Sequence, residues 1–225
     1  MRVLYHFPLD PASRQARIAL SEAKLKFKLE AINPWAAQED FLELCAEGTP
    51  PALSDITPNG PIMIVGARAI CEYMNDTAPK SRLMPLDPAE RAEARRLCDW
   101  LDIKFTDDVH AYIMHERVEK VMMPADAPHP PTLRAGREAM HRHFEYLTWL
   151  LAQRDYLAGR HFSLADVAGV AHISCLDFIG EIRWRDWPEL REWYQKLKSR
   201  PSVQPLLSDR LPSIIPPRHY RDLDF

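Results

Sequence analysis

Residues 159–167 read GRHFSLADV and carry the signature of a helix start. Ser163 stands at the N-cap position and Asp166 three residues later, which is the arrangement of a capping box with Asp in place of the usual Glu. The segment that follows, 164–179, has almost no polar face. Because a helix that is apolar all round must be buried, we predict that this is the central helix of a helical domain.

Further helices are predicted on both sides of this central helix, so that residues 88–205 form an all-helical domain followed by a tail of residues 206–225. Caps and apolar spacing place them at 88–122, 133–153 and 188–200. The longest begins with Asp87 as the N-cap and Pro88 as the first helical residue. Three tryptophans on apolar helix faces are expected in the core: Trp100, Trp149 and Trp193.

The first part of the chain, residues 1–78, has a different pattern. Short apolar segments at 2–6 and 26–31 indicate strands separated by a helix, and Asn59-Gly60 indicates a hairpin turn between two more strands. The predicted order is β-α-β-α-β-β-α. Residues 79–87 contain two prolines and no regular period, so we interpret them as a linker.

Composition excludes several classes of function. The 29 basic and 32 acidic residues give a net charge of -3, which argues against a nucleic-acid partner. The sequence has no apolar run of membrane-spanning length and no signal peptide, so we expect a cytoplasmic protein without direct membrane insertion. The four cysteines are widely spaced, the histidines lack ligand spacing, and glycine-rich phosphate loops are absent. We therefore expect no metal and no cofactor.

The order of elements and five local segments make the chain resemble the glutathione S-transferase family over residues 1–205. The segments are SRQARIAL at 13–20, Pro51-Ala52-Leu53 at the position of the family's cis-proline, AICEYM at 69–74, GRHFSLADV at 159–167, and WPELREWYQKLKSRPSVQ at 187–204. The resemblance implies a thioredoxin-like N-terminal domain followed by an all-helical C-terminal domain.

The family holds the glutathione thiolate with a hydroxyl or cysteine, and the matching positions here are altered. His6 aligns with the tyrosine-type position, and Asp10 lies near the serine- or cysteine-type position. Asp10 followed by Pro11 is a typical helix cap, and an ionised carboxylate cannot donate a hydrogen bond to a thiolate. Ser13, one turn inside the helix, is the remaining candidate for a displaced hydroxyl.

The remaining glutathione-binding positions of the family are altered in the same way. Pro51 keeps the structural role of the cis-proline, while Pro50 precedes it in place of an aliphatic residue. Gly66 and Ala67 replace the Glu-Ser pair that binds the γ-glutamyl carboxylate. A methyl group donates no hydrogen bond, and a charge-assisted bond contributes about 1.5–3 kcal/mol. We regard these positions as a vestigial glutathione site and predict weak or absent binding.

The tail, ending HYRDLDF, resembles a group of FtsZ-localised, GST-like division proteins of alphaproteobacteria. The resemblance implies a non-catalytic, homodimeric adaptor that binds FtsZ filaments at the division site and regulates constriction. The alternative is a glutathione-dependent transferase with a displaced catalytic residue. The tail can fold back on the helical domain, and this docking is compatible with recognition, since packed Tyr220 and Leu223 would hold Asp222 and Asp224 in fixed positions. Trp35 is either structural or an exposed anchor. Candidate partner-binding residues are Trp35, Tyr220, Asp222, Asp224 and Phe225.

Overall fold

The structure is a computed structural model that describes residues 1–36, 39–78, 82–123 and 126–225. It divides into two compact units, Met1–Leu83 and Met84–Phe225. The division falls within the predicted linker, 79–87, of which residues 79–81 lie outside the described residues.

The N-terminal unit is a four-stranded sheet with helices, in the predicted β-α-β-α-β-β-α order. The strands are β1 (Arg2–His6), β2 (Phe27–Ala31), β3 (Ala52–Thr57) and β4 (Gly60–Val65), and the helices are α1 (Pro11–Glu22), α2 (Glu39–Leu44) and α3 (Ala67–Thr77). In the sheet order β2-β1-β3-β4, β2 is parallel to β1, whereas β3 runs antiparallel to both β1 and β4. This is the thioredoxin-like arrangement that the sequence predicted.

The C-terminal unit is helical, as predicted. A long helix, α4, covers 88–122 in consecutive segments, and it is followed by α5 (Pro130–Leu151), α6 (Leu164–Phe178) and α7 (Pro188–Lys198). Every residue of α6 is buried, which confirms its central position. The predicted capping box is present, since Ser163 N–H donates to Asp166 Oδ2 at 2.9 Å and Ala165 N–H to Ser163 Oγ at 3.3 Å.

Helix α4 contains a wide, π-type segment at Trp100–His110, where Ala111 N–H donates to the carbonyl of Thr106. A row of fully buried apolar residues along it recurs every four positions: Leu97, Leu101, Phe105, Val109 and Ile113. Four residues of a regular α-helix overshoot one turn by about 40°, so this row would drift around the helix. The wider turns absorb the drift and keep the row on the buried face.

The predicted core position of Trp149 is wrong, because 57% of this residue is exposed. Helix α5 buries the face that carries Phe144 and Leu147. Trp149 lies two residues beyond Leu147, which is about 200° around the helix and therefore on the solvent side. Its ring instead stacks on Tyr146, with the centroids 6.0 Å apart.

Candidate functional site

The first candidate site lies where β1 ends and α1 begins, at the vestigial thiol positions. Asp10 is the N-cap of α1, as predicted: its carboxylate accepts from Ala12 N–H at 3.3 Å and Ser13 N–H at 2.7 Å. These amides at a helix N-terminus are the donors that would otherwise hold an anion. Asp10 therefore supplies a negative charge of its own where a thiolate would bind.

Ser13 lies beside Asp10 but is not available as a thiolate donor in this arrangement. Its side chain is fully buried, and its hydroxyl donates to Asp10 Oδ2 at 2.6 Å while accepting from Phe7 N–H at 3.1 Å. A serine hydroxyl can donate only one hydrogen bond, and here it donates that bond to the carboxylate of Asp10. His6 is also buried, and its carbonyl accepts from Ile32 N–H at 2.8 Å.

The γ-glutamyl positions lie at the junction of β4 and α3. The Pro50–Pro51 peptide bond is cis, as the resemblance implies, and Pro51 O accepts from Gly66 N–H at 2.9 Å. Gly66 has φ of +88°, a backbone conformation that other residues rarely adopt, and no side chain caps α3 there. Ala67 is the first helical residue and is buried. Neither position offers a side-chain hydrogen-bond donor.

Trp35 lies in the same unit and packs against Phe7. The two rings meet edge to face with their centroids 5.1 Å apart, and Trp35 N–H donates to Asn33 Oδ1 at 3.0 Å. The residue is half-buried. Part of the indole is thus held by packing, while the rest is open to solvent and able to contact a partner.

The second candidate site is the tail, which docks on the helical unit. Tyr220 is fully buried, its ring 5.1 Å from that of Phe178, and its hydroxyl donates to Leu206 O at 3.2 Å. It therefore packs the tail in place and does not form part of the outer surface. Asp222 and Asp224 are exposed, and Asp224 N–H donates to Asp222 Oδ1 at 3.0 Å.

Two buried charged residues that the sequence analysis did not single out hold the tail. Lys198, at the end of α7, donates to His219 O at 3.2 Å and to Asp222 O at 2.6 Å. Asp177, near the end of α6, accepts from His219 Nε2 at 2.9 Å. Burial lowers the pKa of Lys198 from 10.5 to about 8, while Asp177 and Asp222 oppose this shift. The ammonium group is thus mostly charged at neutral pH.

Phe225 completes the docked tail and is half-buried. Its backbone oxygen accepts from Gln195 Nε2 at 2.8 Å. The centroid of its ring lies 4.1 Å from Lys198 Nζ and 5.2 Å from the ring centroid of Trp184. Cation–π contacts of this kind stabilise by about 0.5–2 kcal/mol. Asp222, Asp224 and Phe225 therefore form one ordered surface above the buried Tyr220, whereas Trp35 belongs to the other unit.

Metal and membrane chemistry gain no support from the described residues. Within the ranges given above, there is no group of three or more histidine, cysteine or acidic side chains arranged to hold a metal ion. None of the helices formed by these same residues has both the length and the apolar character needed to cross a bilayer.

These features agree with the sequence comparisons. Residues 11–77 match the N-terminal domain of glutathione S-transferases and residues 110–201 match the C-terminal domain. The chain therefore belongs to the glutathione S-transferase family. It is similar to FtsZ-localized protein A of Caulobacter vibrioides, with 46% identity over 224 residues that cover 100% of this chain and 98% of the relative.

Solved structures give the same relationship. The structure of FzlA from C. crescentus matches with a TM-score of 0.97 and 46% identity, covering 100% of this chain and 99% of that one. A glutathione S-transferase from Rhodospirillum rubrum F11 matches with a TM-score of 0.95 and 40% identity, covering 100% of both chains.

Restoring hydroxyl donors should restore glutathione binding. In the double variant Asp10→Ser and Ala67→Ser, we expect affinity for glutathione to rise about tenfold or more, because each added donor can form a charge-assisted hydrogen bond. Serine is itself a good cap, so α1 should remain stable. Isothermal titration calorimetry measures the change, with the two single variants as controls. Micromolar binding by the wild type, or no gain in the double variant, would contradict this interpretation.

Proposed function

We propose that this protein is a non-catalytic, GST-like adaptor that binds FtsZ filaments and regulates constriction during bacterial cell division. The observation that carries the proposal is the 46% identity to a protein named FtsZ-localized protein A, along essentially the full length of both chains. The thiol site adds support, since Asp10 accepts from the amides at the start of α1 and from the hydroxyl of Ser13.

The proposal includes where and in what form the protein acts. It is a cytoplasmic homodimer at the division site, with no cofactor and no nucleic-acid partner. Two copies of one binding surface in a dimer would bridge neighbouring filament subunits. Such bivalent binding raises the overall affinity although each surface makes the same contacts as before. Trp35, Asp222, Asp224 and Phe225 are the proposed contact residues, and Tyr220 holds the last three in position.

The proposed surface is tested by co-sedimentation with polymerised FtsZ. Trp35→Glu and Asp224→Lys should each weaken pelleting about tenfold, because loss of an interface anchor or reversal of a charge typically costs 1.4 kcal/mol or more. Neither change should alter the melting temperature by more than a degree or two, since Trp35 is half-buried and Asp224 is exposed.

The chain offers matched controls for both variants. Trp149→Glu changes an exposed tryptophan elsewhere, and Asp107→Lys reverses an exposed aspartate on α4. Both controls should pellet like the wild type, and all variants must keep the wild-type circular dichroism and oligomeric state. If Trp35→Glu and Asp224→Lys pellet as well as the wild type, this surface is wrong.

The alternative function is a glutathione-dependent transferase. It is favoured by similar solved structures described as glutathione S-transferases, from Rhodospirillum rubrum F11 and from Sinorhizobium meliloti 1021 at 40% and 42% identity. Turnover of a chlorodinitrobenzene-type electrophile with glutathione, together with no pelleting on FtsZ, would establish the transferase and overturn the adaptor.

A further inference from the structure

A groove in the helical unit concentrates positive charge beside the docked tail. Its volume is about 640 Å³, and the rings of Trp184 and Phe225 form an apolar part of its wall. We call it the arginine groove after four of its lining residues: Arg183, Arg185, Arg191 and Arg218. The whole chain carries a net charge of -3, so this positive cluster is a local feature.

Two of the four arginines already have a carboxylate partner. Arg183 Nε lies 3.1 Å from Asp186 Oδ2, and Arg185 Nε lies 3.5 Å from Asp186 Oδ1. One carboxylate thus serves two guanidinium groups. Both arginines are highly exposed, so their pairs are weak and free to rearrange.

The other two arginines, Arg191 and Arg218, have no ion-pair partner within the described parts of the chain. Arg191 is half-buried, and its Nε is shielded from solvent without a hydrogen-bond acceptor among those residues. Its guanidinium lies 5.4 Å from the centroid of the Phe225 ring. The guanidinium as a whole lines the groove without a carboxylate partner among the described residues, so its charge is free to pair with an acidic ligand.

The remaining charges at the groove do not cancel this excess. Asp222 also lines it, but Asp222 Oδ1 already accepts from Asp224 N–H. His219 is held by Asp177, and the charge of Lys198, which lies beneath the Phe225 ring, is offset by the same buried carboxylate. Counted by side chains, four arginines stand against Asp222 and the shared Asp186, so charge complementarity favours an acidic occupant.

We propose that the arginine groove binds an acidic peptide segment of the protein's partner. Carboxylates of the peptide pair with Arg191 and Arg218, whose planar guanidinium groups suit bidentate recognition, and an apolar side chain lies against Trp184 and Phe225. This inference rests on the proposed function, because it names the part of the proposed partner that the groove beside the docked tail would recognise.

A synthetic peptide tests the groove without the filament. The probe is a fluorescein-labelled peptide of glutamates around one leucine, and the comparison peptide has glutamine in place of every glutamate. Fluorescence anisotropy should show the glutamate peptide binding at least tenfold more tightly than the glutamine peptide. Arg191→Gln and Arg218→Gln should each weaken binding about tenfold, which corresponds to the loss of one charge-assisted pair.

Arg134→Gln, an exposed arginine on α5, is the matched control and should bind like the wild type. Arg218 is exposed, so Arg218→Gln should stay folded. This variant keeps the test decisive even if Arg191→Gln unfolds. Equal binding of the two peptides, or wild-type affinity in Arg218→Gln, would overturn the proposal. So would competition by inorganic phosphate at the concentration of the peptide, since the groove would then be a general anion site.

Co-sedimentation of the wild type with FtsZ separates the two proposals. If the protein pellets with filaments but does not bind the glutamate peptide, the groove inference fails and the adaptor function stands. If it binds the peptide but does not pellet, the adaptor function fails and the groove remains a site for acidic peptides.

Discussion

Replacing Asp177 by alanine is expected to lower the free energy of unfolding by about 3–5 kcal/mol and to release the tail. Asp177 is fully buried and accepts three hydrogen bonds, from Trp184 Nε1 at 2.7 Å, His219 Nε2 at 2.9 Å and Tyr194 Oη at 3.1 Å. It also favours the charged form of the buried Lys198. Alanine would leave those donors unsatisfied and the ammonium group without that support.

Urea unfolding followed by circular dichroism measures the stability, and limited proteolysis at the tail arginines measures its release. Tyr194→Phe is the control, since it removes only one of the three donors and should cost about 1 kcal/mol without exposing the tail. A variant Asp177→Ala with a protease-resistant tail and a loss below 1 kcal/mol would show that Asp177 is not the anchor.

Asp166→Ala should destabilise the helical unit by a similar amount, about 3–5 kcal/mol, but through the other end of α6. The fully buried carboxylate accepts from Leu157 N–H at 2.9 Å, Ser163 N–H at 2.9 Å and Trp193 Nε1 at 3.0 Å. It thus joins the loop before α6, the start of α6, and α7. The Ser163 hydroxyl also donates to it at 3.1 Å, so removing the carboxylate leaves four buried donors without this acceptor.

Ser163→Ala separates the cap from this wider network. Because only the capping hydroxyl is lost, its expected cost is about 0.5–2 kcal/mol, without a selective loss of partner binding. Chemical denaturation of both variants gives the comparison. Equal losses for Asp166→Ala and Ser163→Ala would mean that the bonds to Leu157 and Trp193 contribute little. A selective loss of FtsZ binding in Ser163→Ala would contradict its structural role.

Features that depend on neighbouring residues could be predicted from the sequence. The cap at Asp10 and the capping box at Ser163 need only three or four consecutive positions, and both are confirmed. The order of strands and helices in residues 1–78 follows from short apolar periods and one Asn-Gly turn. Such signals are local, because the interactions that produce them join residues only a few positions apart in the sequence.

Features that depend on distant residues could not be predicted in this way. The tail anchor joins Asp177 to His219 and Lys198 to Asp222, which are 42 and 24 positions apart. The arginine groove likewise combines segments around 183–185, 191 and 218. In both cases, tertiary packing decides which polar groups meet. The exposure of Trp149 is different, because the helical period of α5 alone places this residue about 200° from Leu147.

Under the proposed function, the docked tail would link partner binding to the folding of the helical unit. A partner that recognises only the docked tail binds the folded protein and not the unfolded one, so by mass action it must raise stability. The gain is about 2.7 kcal/mol when the free partner is at 100 times its dissociation constant. A filament presents many copies of its subunit at high local concentration. The helical unit would therefore resist unfolding most strongly where filaments are densest, and least when the protein is dispersed.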